Sequence, residues 1–496
     1  MISIKRKNII TYFICLIITI IVFIPFLSGH YAGDTYNIQG IGYKNYAINY
    51  NLKDGRVFMS LINLLIAKIN LPIKTYVFIT LFLALVVSNI VVIILKNIIE
   101  KYKEPKNLWQ EIAITAISYI TIFNFMYLDC LNFAESFIIS VSVLLFLISA
   151  DILVNGEKHI FSKSLILVLL AIFCYQATIN VFAVFILLFS ILKNKNDIKP
   201  ILKDIARGII IICIVIIFNF VQIKLVGYLL TLNQNRANIN LKVLIENIEL
   251  TIRNMLFVVC YNCYIYPKYL FVINIIVLSV LVLIYSIINK THISFIIKAY
   301  ILIIASISIA FILNILSTSS FNGARTHLPI GMAIGLVLIY LYIESDVFEK
   351  KNFINNLIKL FIIIYIGSII YNYDKLMILQ KKNNNLENIE MQQISEYIKD
   401  YEEKNNININ KIVKVLFLKQ YNKQFYEELP KNPFLSCVVR SSEFADKALN
   451  VYLNRNLESK LLLENSEKVK EYVNIDKNER GYECINDTLY ISVYAY

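Results

Sequence analysis

The chain has 496 residues, of which 58% are hydrophobic and 17% are charged, and its formal net charge is +13. This composition is typical of integral membrane proteins and excludes an ordinary water-soluble enzyme. The positive charge does not indicate a nucleic-acid partner, because the basic residues stand mainly in short loops between apolar segments. That placement follows the general excess of Lys and Arg in the cytoplasmic loops of membrane proteins.

About eleven segments are candidates for transmembrane helices, which need roughly 20 mostly apolar residues. In chain order they are predicted near 9–28, 75–95 and 111–127, from 133, on the two sides of Tyr175, and at 208–230, 269–288, 299–316, 328–344 and 353–371. Lys5, Arg6 and Lys7 precede the first span, so the amino terminus is predicted to be cytoplasmic. An odd number of crossings then places the chain after 371 outside the cell membrane.

The first predicted outer loop, Gly29–Arg56, carries Asp34, Asp54 and Arg56 between two apolar segments. The same loop contains five tyrosines, Tyr31, Tyr36, Tyr43, Tyr46 and Tyr50. The next stretch is apolar but is interrupted by Asn63 and other polar residues, which predicts a helix lying in the membrane interface. Charged and aromatic side chains beside nearly uncharged spans make this loop the first candidate for chemistry.

Three later outer turns carry the remaining candidate side chains. The turn between the third and fourth spans holds Asp129 and Glu135, and an acid at the membrane edge needs a partner or a wet cavity. Gln176 stands at the tight turn between the fifth and sixth spans. The loop before the tenth span contains Arg325 and His327.

If these outer loops converge on one cavity, they supply the groups that glycosyl transfer from a lipid-phosphate donor requires. Asp34 can accept the proton of an attacking hydroxyl, as a general base does. Arg325 can hold a departing phosphate through two hydrogen bonds and offset its charge. Glu135 or Asp129 provides a second acid, and the tyrosines offer flat faces and hydroxyls to sugar rings.

This layout resembles the polytopic GT-C glycosyltransferases, and more closely the glucosyltransferase-II type of bacterial membrane enzyme that decorates O-antigen. Short motifs carry the resemblance: Gly33-Asp34, Asp54-Gly55-Arg56, Asn132 to Glu135, Tyr175-Gln176 and the run from Arg325 to Pro329. One departure matters. The family often has two adjacent acids in its first outer loop, whereas Asp34 is followed here by Thr35.

The resemblance implies an all-α, GT-C-like membrane domain over 1–371 that moves a hexose such as glucose from a polyprenyl-phosphate carrier to a cell-surface glycan. Asp34 would be the catalytic base. The implied substrate-binding residues are Tyr31, Asp54, Arg56, Asp129, Glu135, Gln176, Arg325 and His327. No cofactor is firmly implied, and without a second adjacent acid the sequence does not support a divalent metal.

Residues 372–496 have ordinary polarity and predict a small extracytoplasmic α/β domain. Residues 391–406 have the spacing of an amphipathic helix, while 411–419 and 487–496 read as strands. Cys437 and Cys484 can pair if this domain is outside.

Two other functions use the same kind of scaffold. A flippase or transporter of lipid-linked oligosaccharides would place ionisable groups near the membrane midplane and break its helices with Gly or Pro. This chain instead gathers its charges on one outer face and has few Gly or Pro residues. A glycan polymerase would carry a long outer loop rich in Arg and His late in the chain, where this chain has a short one.

Overall fold

The structure is a computed structural model, and it describes 6–195, 197–230, 241–261, 265–316, 323–350 and 352–405. After 405 it describes only 414–420, 449, 451–453, 458–462, 482–485 and 488–494. The described chain up to 405 is built almost entirely of helices, which confirms the predicted all-α membrane architecture.

Seventeen α-helices are found among the described residues. The first nine are α1 (Arg6–Val22), α2 (Ile24–Leu27), α3 (Gly33–Ile41), α4 (Tyr43–Tyr46), α5 (Val57–Ile69), α6 (Ile73–Tyr102), α7 (Leu108–Ile122), α8 (Tyr127–Asn132) and α9 (Ser136–Asn155). The others are α10 (Ile160–Cys174), α11 (Ile179–Asn194), α12 (Ile198–Leu229), α13 (Leu241–Tyr261), α14 (Leu270–Ile288), α15 (Ile293–Leu316), α16 (Leu328–Glu344) and α17 (Phe353–Lys404).

Seven helices of the described chain are long and apolar enough to cross a membrane: α6, α9, α11 with the turn before it, α12, α14, α15 and α17. The other four predicted spans form the apolar helices α1, α7, α10 and α16, which have 15 to 17 residues. The membrane-embedded character of the chain is therefore supported, while the total of eleven crossings and their sidedness stay predictions.

The first outer loop is largely helical. The chain passes from α2 into α3 and α4, continues as a π-helical stretch over Ala47–Leu52, and enters α5. Gly42, at a φ of +81°, ends α3, because a left-handed backbone suits a residue without a side chain. Ser60 and Asn63 of α5 are buried, so the polar face of this helix points into the protein and towards the outer turns.

Helix α17 runs without a break through the predicted domain boundary at 371 and 372. Its 52 residues give it a length of about 78 Å at the usual rise of ~1.5 Å per residue. The amphipathic segment predicted at 391–406 is its second half. Most of the chain after 405 lies outside the described residues, as does Cys437, so the separate α/β domain and the cysteine pair stay predictions.

Four short strands are described in this region: β1 (Lys414–Gln420), β2 (Glu458–Leu462), β3 (Tyr482–Ile485) and β4 (Thr488–Tyr494). Their order is β2-β1-β4-β3, with β1 parallel to both neighbours and β3 antiparallel to β4. In the parallel pair, Lys414 is opposite Thr488 and Gln420 is opposite Tyr494. β1 and β4 fall in the two segments whose patterns predict strands.

Helix α16 is the central helix of the membrane part, with Leu328 to Tyr342 all buried. Two glycines four residues apart let it approach α7 closely. A β-carbon at Gly331 would lie 1.9 Å from the Asn124 side chain, and one at Gly335 would lie 2.8 Å from the Thr121 backbone. Small residues at this spacing are the usual means by which two membrane helices come into direct contact.

Replacing Gly335 by Ala is therefore expected to destabilise the bundle by about 1–3 kcal/mol, since the new methyl group has no space and the opposing backbone cannot move aside. Thermal unfolding of the purified protein in lipid nanodiscs measures this. Gly367→Ala in α17 is the matched control, because its β-carbon would meet nothing within 4 Å. Equal unfolding midpoints for the two variants would contradict the close packing of α16 on α7.

Candidate active site

Asp34 lies in the first turn of α3 and is half-buried. The amino end of a helix favours a carboxylate, and the Ala32 N–H donates to Thr35 Oγ1 at 3.2 Å at this end. Burial raises the pKa of the Tyr46 phenol well above its ordinary value, and the charges of Asp34 and Glu135 raise it further. Both carboxylates therefore act on the same buried tyrosine, although their helices are a hundred residues apart.

Glu135, just before α9, is fixed by two amides, one from the first predicted outer loop and one from α5. Its Oε1 accepts a hydrogen bond from Asn51 Nδ2 at 2.7 Å and another from Asn63 Nδ2 at 2.9 Å. The Tyr76 hydroxyl donates to Asn63 Oδ1 at 2.9 Å and holds that amide in turn. Only 5% of Glu135 is exposed. The predicted acid at the membrane edge thus has partners that set its orientation.

Burial is the main reason that the pKa of the Glu135 carboxyl is raised above its ordinary value. The neighbouring Asp34 charge raises this pKa as well, while Arg56 and the two amides oppose the shift. A carboxyl whose pKa is raised holds its proton more readily, and in the protonated form it can donate a hydrogen bond.

The raised pKa of Glu135 gives a prediction for stability against pH. A carboxyl whose pKa is higher in the folded protein than in the unfolded chain contributes its full stabilisation at pH values below the unfolded-chain pKa. This stabilisation is lost as the pH rises through the folded-state pKa. Glu135→Gln keeps an oxygen for both amides but cannot ionise. The unfolding midpoint of this variant is expected to fall less than that of the wild type between pH 4.5 and pH 8. Parallel midpoint curves would contradict the buried, shifted carboxyl.

Arg56 stands immediately before α5 and faces the same region. Its guanidinium lies 3.6 Å from the Asp54 carboxylate, and its Cζ is 5.0 Å from the centre of the Tyr175 ring. Gln176 Nε2 donates to the Asp54 carbonyl at 2.5 Å, which ties this loop to the turn before α11. Gly55 adopts a φ of +82° with the Gln176 amide 3.0 Å from where a β-carbon would stand, so a glycine is needed between Asp54 and Arg56.

Arg325 lies in a single 3₁₀ turn before α16, and Asp129 positions it. The Arg325 main-chain N–H donates to Asp129 Oδ2 at 2.9 Å, and its guanidinium lies 3.5 Å from Oδ1. The guanidinium also stacks on Phe133, with Cζ 4.0 Å from the ring centre. Asp129 itself is 1% exposed. Asp129, predicted as substrate-binding, therefore has its carboxylate directed at Arg325.

The two arginines converge on Tyr175. Burial raises the pKa of this tyrosine, and the positive charges of Arg325 and Arg56 both oppose that shift. The Tyr175 ring is thus within electrostatic reach of two guanidiniums whose residues are 269 positions apart in the sequence. Asp34, Glu135 and Arg56 thus act electrostatically on Tyr46, and Arg56 and Arg325 on Tyr175, which relates the four predicted charged residues to one another.

Buried polar atoms with unused hydrogen-bonding capacity surround this group. Among the described residues, Arg56 Nε, Asn51 Oδ1, Asn132 Oδ1 and Ser136 Oγ are buried without a hydrogen-bond partner, and so are both amide atoms of Asn37. Leaving such an atom unsatisfied costs about 1–3 kcal/mol. Asn51 contacts Glu135, Ser136 follows Glu135 in the chain, and Arg56 carries one of these atoms itself, which is the pattern expected where a polar ligand or water binds.

Two predicted residues lie away from this group. The Tyr31 main chain is clamped by α17, with Asn384 accepting its N–H at 2.9 Å and Gln380 donating to its carbonyl at 2.8 Å. Its ring stacks on Tyr36. His327 is fully buried at the start of α16, with Nδ1 2.9 Å from the Gly323 carbonyl oxygen.

Sequence reasoning missed the residues that hold the acids and arginines in place. Tyr46, Asn51 and Asn63 were not predicted as site residues, and Tyr175 was noted only as part of a motif. The signal in the sequence is Asn63, a polar residue in an apolar helix whose pattern predicts an interfacial position. Its side chain instead points inward to Glu135.

Among the described residues, no three His, Cys, Asp or Glu side chains lie close enough together to hold a metal ion. Comparison with known proteins found no matching family model, curated protein or solved structure. The geometry of the outer group is therefore the basis for assigning a function.

Proposed function

We propose that this chain is an integral membrane glycosyltransferase that moves a hexose such as glucose from a polyprenyl-phosphate carrier to a cell-surface glycan outside the bacterial cell membrane. One observation carries the proposal. The guanidiniums of Arg56 and Arg325 both act electrostatically on the buried Tyr175, and Arg56 and the half-exposed Asp34 both act on the buried Glu135 carboxyl. Two fixed cations suit a phosphate, and two acids of different environment suit a sugar transfer.

In the proposed reaction, a hydroxyl of the acceptor glycan attacks the anomeric carbon of the donor sugar. The bond from that carbon to the phosphate oxygen breaks, and its electron pair leaves with the polyprenyl phosphate. Asp34 takes the proton of the attacking hydroxyl, which is a general-base role. Asp34 suits this role because it is half-exposed and so can meet a water-borne acceptor.

The leaving phosphate gains negative charge as the bond breaks, and fixed guanidiniums lower the energy of that state. Arg56 has a buried Nε without a partner in the described chain, which leaves a donor for a phosphate oxygen. Arg325 is held from behind by Asp129 and Phe133, so little reorganisation is needed when the charge develops. Glu135, with its raised pKa, is suited to donate a hydrogen bond to a sugar hydroxyl.

The distribution of lysines along α6 supports the outer location. Tyr76, in the first turns of α6, contacts the site through Asn63. At the other end of this helix, Lys101 pairs with Asp151 at 2.8 Å and Lys103 with Glu349 at 2.9 Å. Because lysine-rich ends of membrane helices are usually cytoplasmic, we place the site outside, the amino terminus inside and the chain after α17 outside.

The test uses the purified full chain in proteoliposomes with radiolabelled polyprenyl-phosphate glucose in the lipid and a cell-surface polysaccharide in the medium. Label is expected to leave the lipid and enter the polysaccharide. Movement of intact labelled lipid between the two leaflets would contradict transfer and support the flippase alternative. Growth of a lipid-linked sugar chain would instead support a polymerase.

A further inference from the structure

A second polar cavity, of about 320 Å³, lies between the end of α2, the start of α6 and the outer half of α17. Ser28, His30 and Lys74 line one side. Lys381 and Asn388 line the other. The cavity belongs to none of the contacts that join the acids and arginines described above.

The charge of this cavity is positive. Lys381 Nζ donates to Ser28 Oγ at 2.6 Å, and no carboxylate of the described chain lies within 4.0 Å of Lys381 or of the exposed Lys74. None of the lining residues is acidic. Glu387 of α17 is buried behind this lining, where it accepts hydrogen bonds from Tyr36 and from the lining residue Asn384. The walls can therefore attract an anionic group.

Amide side chains of α17 line the cavity beyond Lys381, in the polar half of this helix. Asn385 and Asn388 follow Lys381 by about one and two turns. At ~1.5 Å per residue, Lys381 is about 10 Å and Asn388 about 21 Å along α17 from Asp374, the first charged residue after Lys359. Amides both donate and accept hydrogen bonds, as sugar hydroxyls do, so this end suits a glycan in water.

The cavity adjoins the part of the chain that carries the proposed base. Tyr31, which lines it, is three residues before Asp34. His30 also lines it, with Nε2 3.0 Å from the carbonyl oxygen of Asn132. Asn132 in turn lies three residues before Glu135. The lining of the cavity is therefore joined to both acids by short stretches of chain, and His30 holds these two stretches together.

We propose that this cavity is the subsite for the acceptor, and that the acceptor is a glycan bearing an acidic group, either a carboxylate or a phosphate ester. Lys74 and Lys381 bind the anion, and the amides of α17 bind neighbouring hydroxyls. The inference rests on the proposed transferase function, because only a transfer reaction has an acceptor. The binding of acidic sugars itself does not depend on turnover.

The experiment measures binding, without donor, to the full chain in nanodiscs of phosphatidylcholine alone. The probes are cellobiouronic acid, cellobiose phosphate and neutral cellobiose. Their binding is measured by calorimetry. Both acidic probes are expected to bind more tightly than cellobiose. Lys381→Gln and Lys74→Gln should each raise the Kd of the acidic probes roughly tenfold, as the loss of one charge-assisted hydrogen bond does. The Kd of cellobiose should stay unchanged.

Two matched variants distinguish the loss of a positive charge from a loss of folding. Lys381→Arg should keep the preference for acidic probes, and Lys375→Gln should behave as wild type, because Lys375 is exposed on the same helix outside the cavity. Equal affinity for acidic and neutral probes would overturn the inference, as would unchanged binding in both glutamine variants. Loss of acidic-sugar binding when phosphatidylglycerol is added would also overturn it, by assigning the cavity to a lipid headgroup.

The result of this binding experiment is independent of the result of the sugar-transfer assay. A chain that binds acidic disaccharides through Lys381 but moves no label from polyprenyl phosphate would contradict the transferase and leave the anion site standing. A chain that transfers sugar but shows no preference for acidic probes would contradict only the acceptor subsite.

Discussion

Replacing Asp34 by Asn is expected to lower sugar transfer by about 10²–10⁴-fold, the usual contribution of a positioned general base. The amide has nearly the same shape as the carboxylate, but it cannot accept the proton of the attacking hydroxyl. Loss of an acid from the first turn of α3 costs only about 0.3–1 kcal/mol in helix stability, so the variant should still fold. The measurement is the initial rate of label transfer in proteoliposomes.

The control is Asp374→Asn, which removes an exposed carboxylate from α17. It should transfer sugar at the wild-type rate. Equal membrane insertion and equal unfolding midpoints for the two variants would show that the loss at Asp34 is chemical. Full transfer by the Asp34 variant would reject this residue as the base, and Glu135 would then be the next to test.

Replacing Arg325 by Ala is expected to affect stability and activity separately. Asp129 is buried and loses the charge of the guanidinium, which should cost about 1–3 kcal/mol. Transfer should fall further, by about 10²–10³-fold, because a fixed donor to the leaving phosphate is lost. Unfolding and transfer rate are measured on the same preparations.

The double variant Arg325→Ala, Asp129→Asn distinguishes the two effects. Neutralising Asp129 removes the buried charge, so most of the lost stability should return, and such coupling is what a double-mutant cycle measures. Transfer should stay low, since no guanidinium faces the phosphate. If transfer returned together with stability, Arg325 would have only a structural role.

The positions of most helices could be predicted from the sequence, because long apolar runs bounded by Lys clusters or polar turns have few other solutions in a membrane. The end of α17 could not be predicted from the sequence. Polarity rises at Asn372, where the sequence indicated a domain boundary, but no Gly or Pro follows within the helix to stop it. Because polar residues can continue a helix in water, the change in composition marks where the membrane ends and the helix goes on.

The candidate site could be predicted in its charged residues but not in what surrounds them. Asp34, Arg56, Glu135 and Arg325 are conspicuous because charges are rare beside apolar spans. Asn51 gives no such signal, since asparagine is abundant in this chain and ordinary in loops. It lies in a π-helical stretch and contacts Glu135, which is 84 residues away in the chain, so the contact depends on the tertiary fold and not on local sequence.

The most direct test of the central claim, that these loops form the site for a lipid-phosphate sugar, is photolabelling. A polyprenyl-phosphate glucose analogue carrying a diazirine on its first isoprene unit is bound to the full chain, activated by light and mapped by mass spectrometry. Attachment is expected near Arg56, at the turn of Tyr175 or beside Arg325, and excess unlabelled donor should abolish it. Attachment confined to the lysine-rich end of α6, or unaffected by competing donor, would contradict the claim.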